Sequence, residues 1–463
     1  MHGAKLLTND AMRAFISDGR VTITPDLPVV YHEHIFHSAR SIYATAGNPG
    51  NAIYESIPDL PRLFASPAIR GALESILGPD YFMHPHRHGH LNTPGTAAQP
   101  NHQDSYEEDE NVRHHRTRWA MLFYYPQNVS QEMGPTAVTP GSHRYYREET
   151  IRQMREIAVT GNAGTVTIVH YDLWHRALEN RSDRNRFMLK FLFGRMKEPE
   201  SPSWKVIEDG LDRRDDRDRR EESLADRTLW RWHCGGDHHS DFTDAPETSA
   251  EVGDAVEQLR APSESVQMIG AYLLGALGER AVPETVDFLK WEAMEKSEIN
   301  LRADHTNPSQ LVAGCALAAI GSPAVPALCS LLADSRWPVR AAAADILGDI
   351  AAGGDSSRYL TEALGDENEW VRRNAAEALG SIGDVSATPS LCKSLSDHSL
   401  RVRHNAALAL AKIGPGAEDS VTPLRKALGD SSPYVRSNAA LALDRIDVSE
   451  SSSGDATEPA LPV

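Results

Sequence analysis

Hydrophobic positions follow two different patterns along the chain. Up to about residue 245 they come in short β-branched and aromatic runs, such as RWAMLFYY (118 to 125) and TVTIVHY (165 to 171), cut by Pro, Gly and Asn turns. These runs predict a mainly β unit. A few helices precede and decorate the strands; in TNDAMRAFIS (8 to 17) a threonine cap is followed by Met12, Phe15 and Ile16 on one face. From about residue 250 the apolar positions are Ala and Leu at helical spacing, and the pattern repeats.

Asp334, Asp366, Asp397 and Asp430 recur at intervals of 32, 31 and 33 residues, each followed six residues later by Arg340, Arg372, Arg403 or Arg436. Every one of these arginines follows a Val and opens an alanine-rich segment closing on Leu347, Leu379, Leu410 or Leu443. Weaker copies, LLGALG (273 to 278) and CALAAIG (315 to 321), extend the array to about six helical pairs. The segment 250 to 447 resembles HEAT-like repeats, which implies an all-α solenoid. One helical pair cannot bury its own apolar face, so stacking is obligatory. The periodic Asp and Arg are read as a structural ladder between units, because periodic charges do not mark one active site. Residues 448 to 463, VSESSSGDATEPALPV, have the composition of a disordered tail. The expected domains are therefore 1 to 245, 250 to 447, and that tail.

Charge narrows the partners. The formal net charge is −18, and from residue 246 onward 18 Lys and Arg face 31 Asp and Glu. So acidic a chain is not built to neutralise phosphates, which excludes a nucleic-acid partner. No run of 18 apolar residues offers a membrane span and the N-terminus lacks a signal-peptide core, so a soluble cytoplasmic protein is expected. Cys234, Cys315, Cys329 and Cys392 are scattered and read as reduced thiols.

Candidate chemistry begins with the triplet H-x-D, which occurs three times: His102 with Asp104, His170 with Asp172, and His239 with Asp241. Two residues apart on an extended segment, such a His and Asp point the same way and can take adjacent positions on a metal. A third ligand from a distant strand completes a 2-His-1-carboxylate face and leaves positions open for a cosubstrate and dioxygen. For His102 and Asp104 that ligand is His175, directly after TVTIVHY. Arg186, in RFMLKFLF, is placed to pair bidentately with the distal carboxylate of 2-oxoglutarate. The second triplet lies too close to His175 to recruit a separate strand, and the third sits where the helical array begins.

NHQD (101 to 104), MGPTAVTPGSH (133 to 143) and GTVTIVHYDLWHRALENRSDRNR (164 to 186) resemble the phytanoyl-CoA dioxygenase family over about residues 5 to 242. The resemblance implies a double-stranded β-helix of jelly-roll type, Fe(II) held by His102, Asp104 and His175, and 2-oxoglutarate anchored by Arg186. It implies oxidation by dioxygen with release of succinate and carbon dioxide. Related halogenases replace the carboxylate ligand with Gly or Ala, so Asp104 favours hydroxylation. Where family members carry a small polar residue two positions after the distal histidine this chain has Ala177, which turns attention to Thr136 and Asn92 for cosubstrate contact.

Three further residues are candidates for the substrate pocket. His84, His86, His88 and His90 alternate, so on a regular strand all four imidazoles share a side, and His88 and His90 are assigned to the pocket with Tyr106, which continues the metal-facing side. The expected substrate is a small organic molecule. A protein or carrier captured by the repeats, self-association through them, and a non-catalytic scaffold remain alternatives.

Overall fold

The computed structural model describes residues 3–104, 113–206, 223–236, 251–299, 307–308 and 310–451. Two compact units divide the chain, one comprising Met1–Tyr106, His115–Arg195 and Pro199–Thr243, the other Glu107–His114, Met196–Glu198 and Asp244–Val463.

Among the described residues eight strands build the first unit: β1 (Arg20–Ile23), β2 (Tyr81–Asn92), β3 (Trp119–Tyr124), β4 (Thr136–Val138), β5 (Ile157–Ala158), β6 (Val166–His170), β7 (His175–Ala177) and β8 (Arg186–Arg195). They form a five-stranded sheet ordered β1-β6-β3-β8-β2 and a three-stranded sheet ordered β5-β4-β7, antiparallel throughout. Strand periodicity gives the large sheet two faces. Ala120, Leu122, Tyr124, Phe187, Leu189, Phe191 and Phe193 pack against helices Asn9–Asp18, Val29–Thr45 and Pro67–Leu77. Met121, Phe123, Val169, Met188 and Leu192 face the other way and share a core with Val138 of the small sheet. Both faces are apolar because both are covered, which is why β3 reads as an unbroken hydrophobic run and β8 as one broken inside only by Lys190. Helix Asn9–Asp18 starts where its cap predicts, with the Thr8 hydroxyl accepting from Ala11 N–H and Met12, Phe15 and Ile16 buried.

The histidine row departs from a regular strand. Between Met83 and Arg87 the register of β2 against β8 shifts, so four steps on β2 oppose the two from Phe193 to Phe191. Pro85 lacks the N–H a ladder needs, and the chain bulges there. Within the bulge His84 Nδ1 accepts from His86 N–H, and the His84 ring packs against Trp119. Beyond it, on the outer edge of β2, Asn51 Oδ1 accepts from Arg87 N–H and the Tyr43 hydroxyl donates to Gly89 O.

The second unit is helical. Six helical pairs run from Val252–Leu259 to the final helix Pro433–Ser451. That helix passes the expected end at 447 because no Gly or Pro interrupts VSES; residues 452–463 lie outside those described. The periodic charges form a ladder: Arg340, Arg372 and Arg403 each grip the aspartate of the following repeat through Nε and Nη2, at 2.7 to 3.2 Å, while Nη1 donates to the carbonyl of their own repeat's aspartate. Small residues let neighbouring helices close up; a Cβ on Gly348 or Gly380 would come within 2.8 Å of the Cα of Ala378 or Ala409. His114 belongs to this unit, between Asp345 (Nε2 to Oδ1, 3.3 Å) and Asp349 (Nδ1 to Oδ2, 3.5 Å). Burial opposes its charge, yet the two carboxylates raise its pKa well above the ordinary value.

Among the described residues no single helix is long and apolar enough to cross a membrane. The ladder predicts an asymmetry. Arg372→Ala, which strands the nearly buried Asp397 carboxylate, is expected to cost about 3 kcal/mol. Arg336→Ala, whose side chain is 41% exposed, should cost less than about 1 kcal/mol. Urea unfolding followed by helical circular dichroism measures both, and equal losses would refute the ladder's role.

Candidate functional site

The site rests on a backbone contact. His102 and His175 exchange both of their main-chain hydrogen bonds, each N–H to the other's carbonyl at 3.0 Å, as an antiparallel pair. On its other side His175 pairs with Val138 in β4, so β7 is held from both edges. Gln103, between the first two candidate ligands, turns the opposite way and donates to the carbonyls of Asp172 (2.6 Å) and Tyr145 (3.3 Å). His102 and Asp104 are thereby left facing His175.

Both imidazoles are oriented by their far nitrogen. His102 Nδ1 lies 3.0 Å from Pro100 O and His175 Nδ1 lies 2.9 Å from Leu173 O. A carbonyl only accepts, so each Nδ1 carries the proton and each Nε2 presents a lone pair. Those Nε2 atoms lie 3.8 Å and 3.7 Å from Asp104 Oδ1 and Oδ2. One ligand atom from each of the three residues lies within 4.8 Å of the others, and among the described residues this is the one His, Cys, Asp and Glu group so arranged. Adjacent ligands about 2.1 Å from an octahedral ion stand about 3 Å apart, so a small inward shift would close the set around a metal. Two neutral nitrogens, one carboxylate and backbone-fixed tautomers fit a ferrous ion.

The cavity beside the triad has a volume of about 50 Å³ and is lined also by His90, Gln99, Thr136, Arg176, Ala177, Arg186, Met188 and Lys190. Arg186 is 1% exposed. Its Nε and Nη2 both donate to Gly134 O, at 3.0 and 2.7 Å, and among the described residues no carboxylate stands within ion-pair distance. Thr136 is paired with Ala177 across β4 and β7, which sets a hydroxyl-bearing residue opposite the position that lacks one. Asn92 lies outside the cavity lining; its amide donates to Gly134 O and Leu178 O, both at 3.0 Å, and so supports the loop that Arg186 grips. Gly134 adopts φ +63°, and a Cβ there would meet Asn92 Nδ2 at 2.5 Å and Leu178 O at 2.6 Å, so only glycine fits. His90 lines the cavity with its Nε2 buried and without a hydrogen-bond partner among the described residues. His88 does not line it and faces Asn48 Nδ2 at 3.2 Å. Tyr106, His239 and Asp241 lie outside the described residues. His170 and Asp172 are buried apart from the triad, the His170 ring 4.9 Å from that of His143.

The phytanoyl-CoA dioxygenase family model matches residues 43–188, a span holding the triad and Arg186, and HEAT repeat models match 324–354, 357–444 and 401–456. The chain carries a phytanoyl-CoA dioxygenase domain and HEAT repeats. Similar solved structures include EctD from S. alaskensis with 2-oxoglutarate and 5-hydroxyectoine (20% identity, 43% of this chain and 83% of that one, TM-score 0.37). Another is the non-haem alpha-ketoglutarate-dependent carbocyclase SnoK from nogalamycin biosynthesis (19% identity, 42% and 88%, TM-score 0.36). A comparison with curated proteins finds no match.

Burial sets the electrostatics of the dioxygenase domain. It pushes the His175 pKa down to about 4, so the imidazole is neutral and available to a metal near pH 7. Burial would raise the Asp104 carboxyl, but the Lys190 ammonium 2.6 Å away, with His175 and His102, holds it well below the usual carboxylate range. His86 is pushed down to about 4 by burial and by Lys190. Lys190 and Gln99 were not anticipated from sequence. The signal for Lys190 was present: in RFMLKFLF it shares strand parity with Arg186 and Met188.

The His86 shift has a definite sign. Neutral when folded and protonated below its ordinary 6.5 when unfolded, it favours unfolding as pH falls from 6.5 toward 4. Between pH 7 and 5 metal-free native protein should therefore lose about 1–2 kcal/mol more stability than His86→Gln, measured by urea unfolding at both pH values. Parallel losses would contradict a neutral, half-buried His86.

Proposed function

We propose that this chain is an Fe(II)- and 2-oxoglutarate-dependent oxygenase that hydroxylates a small organic substrate, releasing succinate and carbon dioxide. The phytanoyl-CoA dioxygenase match supports an oxygenase of this kind. One observation carries the finer reading: a buried guanidinium without a carboxylate partner among the described residues lines the same cavity as a His-Asp-His triad. A buried cation with no anion is costly, and a dicarboxylate whose far end reaches it while its keto-acid end faces the metal removes that cost. In this reading the two antiparallel sheets and their shared core are the halves of a double-stranded β-helix.

His102, Asp104 and His175 would hold the ion. When bound, iron with 2-oxoglutarate supplies the oxidising chemistry: dioxygen is reduced as 2-oxoglutarate is decarboxylated, one oxygen atom entering succinate and the other the substrate. This chain's own residues do the rest. Arg186, pinned by Gly134 O, receives the distal carboxylate, and Thr136 stands by to hydrogen-bond it. The carbonyls of Pro100 and Leu173 keep both imidazoles in the ligating tautomer. Met188 and Phe123, whose ring lies 5.4 Å from that of His175, keep the metal's inner side dry. The four cysteines form no disulfide, which suits a reducing cytoplasm. We assign the HEAT repeats to protein interaction, since such arrays offer long surfaces for a partner.

Anaerobic addition of Fe(II) and 2-oxoglutarate should give a visible charge-transfer band in the native protein and none in Asp104→Ala. Arg186→Leu should weaken 2-oxoglutarate about a hundredfold with the metal still bound. Native protein that stays colourless while folded would defeat this function.

A further inference from the structure

Lys190 is a second cation in the same cavity, and neither holding the metal nor binding 2-oxoglutarate calls for it. It follows Arg186 on the same face of β8, opposite His88 in the ladder to β2, and its side chain is 8% exposed. Among the described residues its ion-pair partner is Asp104, Nζ to Oδ2 at 2.6 Å. A lysine beside a ligand carboxylate is a neutral pair only while that carboxylate has no other cation to serve.

Counting charge in the loaded site, on the reading proposed above, gives an imbalance. A ferrous ion, Arg186 and Lys190 contribute four positive charges. Asp104 and dianionic 2-oxoglutarate contribute three negative ones. Arg176, the other cation lining the cavity, is already paired with Glu156 at 2.7 Å. One positive charge is left over whichever Asp104 oxygen takes the metal, in a cavity where field lines are poorly screened. A buried charge of this kind is tolerated when a ligand brings its opposite.

We propose that Lys190 receives an anionic group of the substrate, and that the substrate is therefore a small organic acid bearing one carboxylate or phosphate close to the carbon oxidised. His90, whose buried Nε2 has no partner among the described residues, lies on the same cavity wall and offers the anion a second contact. Selection acts through charge. A neutral molecule of the same shape leaves the ammonium unmatched and binds worse.

The test uses the full chain loaded anaerobically with Fe(II) and saturating 2-oxoglutarate, with hexanoate and hexyl phosphate as anionic probes and hexanamide as the neutral control, read by titration calorimetry. Native protein should bind the better anion at least about tenfold more tightly than hexanamide, and the stronger of the two anions identifies the head group. In Lys190→Met that preference should vanish while the charge-transfer band and 2-oxoglutarate affinity persist, and Lys190→Arg should restore part of it. Native loaded protein that does not distinguish the anions from hexanamide overturns the inference, as does an anion preference surviving in Lys190→Met. Loss of the band in Lys190→Met also overturns it, by showing that the lysine serves only Asp104. A native protein that forms no band at all instead overturns the oxygenase reading beneath it.

Discussion

The reciprocal main-chain pair between His102 and His175 is the constraint on which the candidate metal site depends. Neither histidine sits in a long ladder: β7 is three residues and His102 belongs to an isolated bridge. Two hydrogen bonds at 3.0 Å therefore fix the separation of side chains far apart in sequence. Everything nearby reinforces that pairing. Gln103 anchors the intervening residue, the Pro100 and Leu173 carbonyls set the rings, and Val138 supports β7 from behind. The geometry of the candidate ligand set is made by backbone, and the side chains only present the lone pairs.

The helical unit solves a different problem with the same economy of means. Each ladder arginine joins its own repeat's carbonyl to the next repeat's carboxylate, so neighbouring units share one side chain. Because Gly348 and Gly380 let the helices meet at backbone distance, the ladder need span only a short gap. Repetition in sequence follows from repetition of that contact.

Much of this was legible before any coordinates. An H-x-D triplet on an extended segment puts both groups on one side by strand geometry alone, and a heptad-free Ala and Leu pattern with a period near 32 residues reads as stacked helical pairs. What escaped was set by local backbone detail. Pro85 turns the row of alternating histidines into a bulge, so His84 packs on Trp119, while His88, in regular register beyond it, turns its ring to Asn48 and does not line the cavity. Asn92, a plausible cosubstrate contact by position, is occupied with the Gly134 and Leu178 carbonyls because the Gly134 turn needs a donor. Lys190 was legible too, a single charge inside an apolar strand at the same parity as Arg186, and pairing with β2 and β3 fixes its register.

The bulged strand β2 also has a consequence for behaviour in a crowded solution. It lies at the end of the five-stranded sheet, where unpaired main-chain groups would invite a strand from another molecule. Asn51 and Tyr43 occupy the outward groups of Arg87 and Gly89, and Pro85 removes a donor and bends the strand. At these positions the β2 edge is closed to an incoming strand, which narrows where templated pairing could begin on this side of the sheet.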